Sequence, residues 1–155
     1  AEPAGASALA GALLTYSALT GSTRHRDAAE AALQTAAEIA ARDPRFAGWW
    51  LAVAEAVVAG PLQVAVVRPV QPEAGAEPTP RTPPRQGLWR IAVGSTSPGL
   101  VAVQGRPDQP GIPLLASRPV RRGRETAYIC RGFVCDAPLV EPAEVAAALA
   151  RRPRA

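Results

Sequence analysis

The chain has 155 residues, a formal net charge of +4 and 48% hydrophobic residues, so it suits one domain, or one and a small appendage. At this length it buries roughly 70% of its unfolded surface and needs no staples. The absence of a long apolar run, of a charged n-region before an apolar core, and of a basic stripe interleaved with aromatics counts against a membrane span, a signal peptide and a nucleic-acid partner.

Much of the apolar content is alanine, which buries little area, so Phe46, Trp49, Trp50, Trp89, Phe133, Tyr16 and Tyr128 matter more to the core. Lysine, asparagine and methionine are absent and every basic residue but His25 is arginine, the pattern of a GC-rich coding sequence rather than of a binding function. The arginines are scattered, with small clusters at Arg121, Arg122 and Arg124 and at Arg151, Arg152 and Arg154 that read as solvated loop and tail. The missing start methionine and the early helical pattern lead us to expect a fragment or processed product, and the expected compartment is the cytoplasm.

Residues 1–60 read as three helices. In the first, Leu9, Ala12, Leu13 and Tyr16 fall at helical spacing, and Gly21 is a stop. Ser22 or Thr23 caps the second, whose apolar face carries Ala29, Ala32, Leu33, Ala36 and Ala40. Asp43-Pro44 ends it and starts the third, with Phe46, Trp49, Trp50, Val53, Ala54 and Val57 on one face, until Gly60-Pro61 stops it. The short links predict an antiparallel, up-down-up stack. Three alanine-rich helices make a thin layer with apolar surface left over.

A buried strand is expected within 61–67, and a proline-rich linker or insert over 68–86. Residues 87–150 read as a small mixed α/β part. Leu88 to Val93 is ambiguous by period, Leu100 to Val103 and Thr126 to Cys130 read as strands, and Glu141-Pro142 opens a last helix with Val145, Ala148 and Leu149 inward. Residues 151–155 are a tail.

Several side chains are candidates for chemistry. Cys130 and Cys135 stand in a C-x4-C spacing, not the C-x-x-C of thioredoxin sites. If Cys130 ends a strand and Gly132 permits a sharp turn, the sulfurs can approach. Two buried free thiols are the first expectation, since free cysteine packs as a small hydrophobe. A disulfide or redox-switch pair is the second, and a metal the third, because zinc wants four ligands and the chain offers two thiols and a distant histidine. We expect no metal and no cofactor. His25 sits in a charged helix start and reads as surface. Trp49 and Trp50 can stack on a sugar, with Glu55 a turn later as a candidate acid, although helical spacing favours a core role for the tryptophans and exposure for Glu55. Gly94-Ser95-Thr96-Ser97-Pro98-Gly99 lacks the lysine and glycine spacing of a phosphate loop and reads as a turn.

The run Ala127-Tyr128-Ile129-Cys130-Arg131-Gly132-Phe133-Val134-Cys135-Asp136-Ala137-Pro138, followed by Glu141-Pro142 and a helix, resembles the carboxyl-terminal signature of the thioredoxin-domain-containing proteins related to spermatogenesis-associated protein 20. Glu2-Pro3-Ala4-Gly5-Ala6-Ser7 running into Leu13-Leu14, then Leu19-Thr20-Gly21 and a helix from Arg24, is similar to that family's late helical hairpins. The resemblance covers most of the chain outside 68–86. It implies an α+β chain: three antiparallel helices from the end of an α/α barrel of the six-hairpin glycosidase type, then a small mixed α/β part. The partners it implies are thioredoxin-like and barrel segments upstream, with a carbohydrate or protein substrate. Where the family carries an asparagine before the first helix this chain has Ala6; if that position lines the barrel mouth, the resemblance implies that a polar contact of a sugar site is lost. The expected function is a non-catalytic carboxyl-terminal portion with a redox or protein-folding role. The alternatives are a carbohydrate-active barrel, acting as hydrolase or epimerase, and a protein-interaction module.

Overall fold

The computed structural model describes residues 4–69, 87–97 and 99–151. Helices α1 (Gly5–Thr20), α2 (Thr23–Arg42) and α3 (Gly48–Ala59) come first. Strand β1 (Leu62–Val67), helix α4 (Leu88–Val93), strands β2 (Val101–Gly105), β3 (Thr126–Arg131) and β4 (Val134–Cys135), and helix α5 (Pro142–Ala150) follow. The α+β class expected from sequence is present.

The buried stripe of α1 is not the expected one. Ser7, Ala10, Leu14, Ser17 and Ala18 face inward, while Leu9 and Tyr16 are 59% and 49% exposed. Small residues let the α1 backbone approach its neighbours closely, and the serines are cheap to bury. The Ser7 hydroxyl donates to the Ala4 carbonyl and the Ser17 hydroxyl to the Leu14 carbonyl, each at 2.7 Å, so neither needs water. Gly21 ends the helix as expected, at φ 77°, where its N–H bonds to the Ser17 carbonyl.

Ser22 occupies the N-cap position of α2 but makes no cap bond to the backbone; its hydroxyl pairs with His25 Nδ1 at 2.7 Å. Ala29 and Ala36 are buried and Ala32, Leu33 and Ala40 half-buried, the expected face. The third helix starts later than expected. Asp43-Pro44 opens a 3-10 turn at Pro44–Phe46, and α3 begins at Gly48. The chain bends at Ala47 to drop that residue wholly into the interior, which leaves Phe46 70% exposed. Ala10, Leu14, Ala29, Val53 and Ala56 make the core of the three helices, with Trp50 packed against it.

The sheet runs in the order β2-β1-β3-β4. β1 is parallel to β2 and antiparallel to β3, and β3 is antiparallel to β4. Every residue of β1 is buried, so both faces of the sheet are covered there. On one face Leu62, Val64, Val66, Ala127 and Ile129 meet Leu88 and Ala92 of α4 and Val145 and Leu149 of α5. On the other, Ala65, Val67, Tyr128 and Cys130 meet Leu114 and Leu115 of a second described 3-10 turn, Pro113–Leu115, with Leu19 of α1 at the margin.

A parallel pair needs a crossover, and α4 supplies it, which settles the stretch that period alone left open. The expected strands and final helix are all present, with β2 placed slightly later than its sequence pattern. The expected proline-rich linker lies outside the described residues from residue 70 to 86, as does the tail from residue 152.

Candidate functional site

β3 and β4 are joined by Gly132 and Phe133, both at positive φ (54° and 66°). A two-residue turn of this handedness matches the twist of its strands and pins their register. Cys130 then faces Cys135, and Arg131 faces Val134. The Asp136 N–H donates to the Ile129 carbonyl at 2.9 Å, so by alternation Cys130 and Cys135 form a non-hydrogen-bonded pair, where side chains stand closest. Their Cα atoms are 3.9 Å apart and their sulfurs are bonded. The first expectation, two free thiols, is therefore corrected: C-x4-C across a two-residue turn puts the cysteines directly opposite each other.

Phe133 holds a backbone conformation that bulky side chains avoid. Two contacts fix it there. Its N–H donates to Gln63 Oε1 at 2.8 Å, and its ring covers Gly21, where an added Cβ would stand 3.4 Å from the ring. Gln63 is itself buried in β1 and donates through Nε2 to the Ala18 carbonyl at 2.5 Å, near the end of α1 where helix carbonyls lack partners. From the strand side, the Arg131 guanidinium donates to the Ala59 and Gly60 carbonyls, both at 3.2 Å, at the end of α3. The cysteine hairpin thus ties two helix ends to the sheet.

The sulfurs meet a buried cation. Arg118 is 7% exposed, and its Nη2 lies 3.1 Å from Cys135 Sγ and 3.7 Å from Cys130 Sγ. Nη1 donates to the Ala116 carbonyl at 2.8 Å, while Nε is buried without an acceptor among the described residues. Burial pushes the guanidinium below its ordinary pKa, while Tyr128 acts the other way. The local chain aims this side chain. Ser117 sits at φ 57° with its N–H held by Asp108 Oδ1 at 2.6 Å, and Pro119 restricts Arg118 to extended backbone. The Pro119 carbonyl accepts the Tyr128 hydroxyl at 2.6 Å, anchoring the loop to β3.

Cys130 is 1% exposed; Cys135, on the edge strand beside the 78% exposed Val134, is half-buried. A disulfide is a weak acceptor and carries no charge. A thiolate carries one, so this cation suits the reduced pair better than the oxidised one.

The other candidates lie elsewhere. Trp49 is 50% exposed and borders a groove of about 600 Å³ between α1, α3 and the start of β2. Neither Trp50 nor Glu55 lines that groove, and the described lining holds no Asp or Glu. Trp50 packs on the helical core and Glu55 is exposed. His25 is half-buried, with its ring centroid 4.5 Å from that of Tyr16. Residues 94–97 form a turn into which Leu149 is tied, its carbonyl accepting the Ser97 hydroxyl at 2.9 Å. No group of three or more potential metal ligands occurs among the described residues.

Sequence reasoning missed Arg118 and Gln63. Arg118 is one arginine among many, and only the fold shows it to be interior; Gln63 interrupts an apolar run, which is the one local sign that its amide has a task. None of the described helices is long and apolar enough to cross a membrane. Comparison with protein-family models, curated proteins and solved structures gives no match.

Proposed function

We propose that this chain is the carboxyl-terminal portion of a thioredoxin-domain-containing protein of the family it resembles. In this reading α1, α2 and α3 complete an α/α barrel, the chain performs no sugar chemistry of its own, and Cys130 and Cys135 act as a thiol–disulfide couple. The observation that carries the redox role is the Arg118 guanidinium, buried against both sulfurs with no carboxylate among its hydrogen-bond partners in the described residues. In the cytoplasm, where the sequence leads us to expect it, a disulfide is more often a switch or a catalyst than a staple. The exposed Leu9, Tyr16 and Trp49 on α1 and α3 offer surface to further helices, which supports the barrel reading.

The test is a redox titration of the intact chain in glutathione buffers, read by alkylation and mass spectrometry. A functional couple passes from disulfide to dithiol between about −180 and −270 mV. A pair that stays oxidised to potentials below about −300 mV is structural, and the redox role then fails.

A further inference from the structure

The two sulfurs are not equivalent, and the difference assigns their roles. Cys130 lies in the interior of β3, 1% exposed, while Cys135 lies on the sheet edge, reachable from solvent. Arg118 Nη2 is nearer Cys135 Sγ, at 3.1 Å against 3.7 Å for Cys130. Arg118 Nε has no acceptor among the described residues. A buried donor left unpaired is costly, and a buried cation without an anion more so.

We infer that in the reduced protein Cys135 is the attacking thiol, held as a thiolate by Arg118, that Cys130 is the resolving thiol, and that the substrates are disulfides presented from solvent at the β4 edge. This rests on the redox reading above for its biological use, but its chemistry stands on the geometry of Arg118.

The Cys135 thiolate attacks one sulfur of the substrate disulfide. A Cys135–substrate S–S bond forms, the substrate S–S bond breaks, and the released sulfur leaves as a thiolate that takes a proton from water. Cys130 then gives its proton to solvent and attacks Cys135 Sγ. The Cys130–Cys135 bond forms, the mixed disulfide breaks, and the second substrate sulfur leaves as a thiolate that takes up the proton Cys130 released. Two electrons pass from the cysteine pair to the substrate, which ends as two thiols, and a dithiol reductant reverses the sequence.

Other charged or titratable groups on the surrounding elements do not compete for the sulfur. Tyr128 donates to the Pro119 carbonyl, Arg131 to the end of α3, and Asp108 accepts the Ser117 N–H. Asp136, next to Cys135 in sequence, is exposed and works against a thiolate through a screened charge. The members of the apolar cluster from α1, β1, β2 and the second 3-10 turn carry no ionisable side chain.

The experiment starts from the chain fully reduced with dithiothreitol, so its outcome does not depend on the potential of the couple. Cys130→Ser leaves Cys135 alone, and Cys135→Ser leaves Cys130 alone. Each is alkylated with iodoacetamide across pH, with folding checked by circular dichroism. Cys135 should react with a midpoint below the ordinary thiol value of about 8.5. It should outpace Cys130 by about tenfold or more at neutral pH, a factor equal to one pKa unit. Adding Arg118→Met to Cys130→Ser should raise the midpoint by about one unit, and Arg118→Lys should restore part of the shift. With glutathione disulfide as probe, the mixed disulfide should collect on Cys135 in the Cys130→Ser chain. A faster Cys130, or a Cys135 midpoint at or above the ordinary value with Arg118 intact, overturns the assignment of roles while leaving the redox couple itself standing. The comparison of the two cysteine variants needs no Arg118 variant to fold.

Discussion

Replacing Gln63 by leucine tests whether one buried amide holds the cysteine hairpin to the helical layer. Gln63 is 1% exposed and makes two bonds, from Nε2 to the Ala18 carbonyl and to Oε1 from the Phe133 N–H. Leucine keeps the volume and removes both bonds. Two backbone groups are then left unpaired, at about 1–3 kcal/mol each. Against this, leucine gains apolar burial of about 1.5–3 kcal/mol. The net expectation is a loss of about 2 kcal/mol, which in a chain of this size lowers Tm by about 4–8 °C. Urea unfolding followed by far-ultraviolet circular dichroism measures it, and amide exchange at Phe133 reports the local loosening. A Gln63→Leu chain as stable as the parent, with Phe133 still protected, would refute the reasoning: the helix ends would then be held by apolar contact alone.

Two further predictions concern backbone and charge. Gly99 has φ 63°, and an added Cβ would lie 2.7 Å from the Ala56 Cβ and 3.1 Å from its Cα, so Gly99→Ala must displace α3 as well as strain the turn. The strain alone costs about 1–3 kcal/mol, and the denaturation midpoint should fall accordingly. Glu141 accepts a 2.6 Å bond from Arg124, which holds its carboxyl below the usual range, first by the hydrogen bond and then by charge. A folded value below the unfolded one means stabilisation that is full above the ordinary carboxylate pKa and lost as pH falls through the lowered value. Both side chains are about half exposed, so the effect is small. A nuclear magnetic resonance titration of Glu141 should move back toward the ordinary range in the Arg124→Gln chain.

The sequence was most readable where burial is continuous or strictly periodic. β1, β3 and α5 follow directly from Leu62 to Val67, from Thr126 to Cys130, and from Val145 and Leu149 behind Pro142. It misled where hydrophobicity and burial part company. On α1 the large side chains Leu9 and Tyr16 face outward and two serines face in, because close backbone approach favours small residues whose hydroxyls bond within the helix. At Pro44 the rule for a helix start held for a single 3-10 turn: Ala47 is buried, Phe46 is left exposed, and α3 begins only at Gly48. The cysteine pair was half legible: the C-x4-C spacing and Gly132 allowed a bridge, but which of three states applied depended on a register that only the partner strand fixes. Arg118 was not legible, because nothing near it in sequence states that its loop is pressed against β3.

Glu125 has a consequence for how this chain tolerates change. One carboxylate oxygen accepts the Leu88 N–H at 2.9 Å, and the other accepts from Gln104 at 3.1 Å and lies 3.6 Å from Arg68 Nε. Arg68, just after β1, and Leu88, which opens α4, are therefore fastened at one point of the sheet, whatever is threaded between them. By loop-closure entropy alone, a longer connection between two ends that are already pinned costs about 0.6 kcal/mol per doubling of its length. This is the natural seam for an epitope, a reporter or a whole guest domain, introduced without disturbing the cysteine hairpin on the far side of β1.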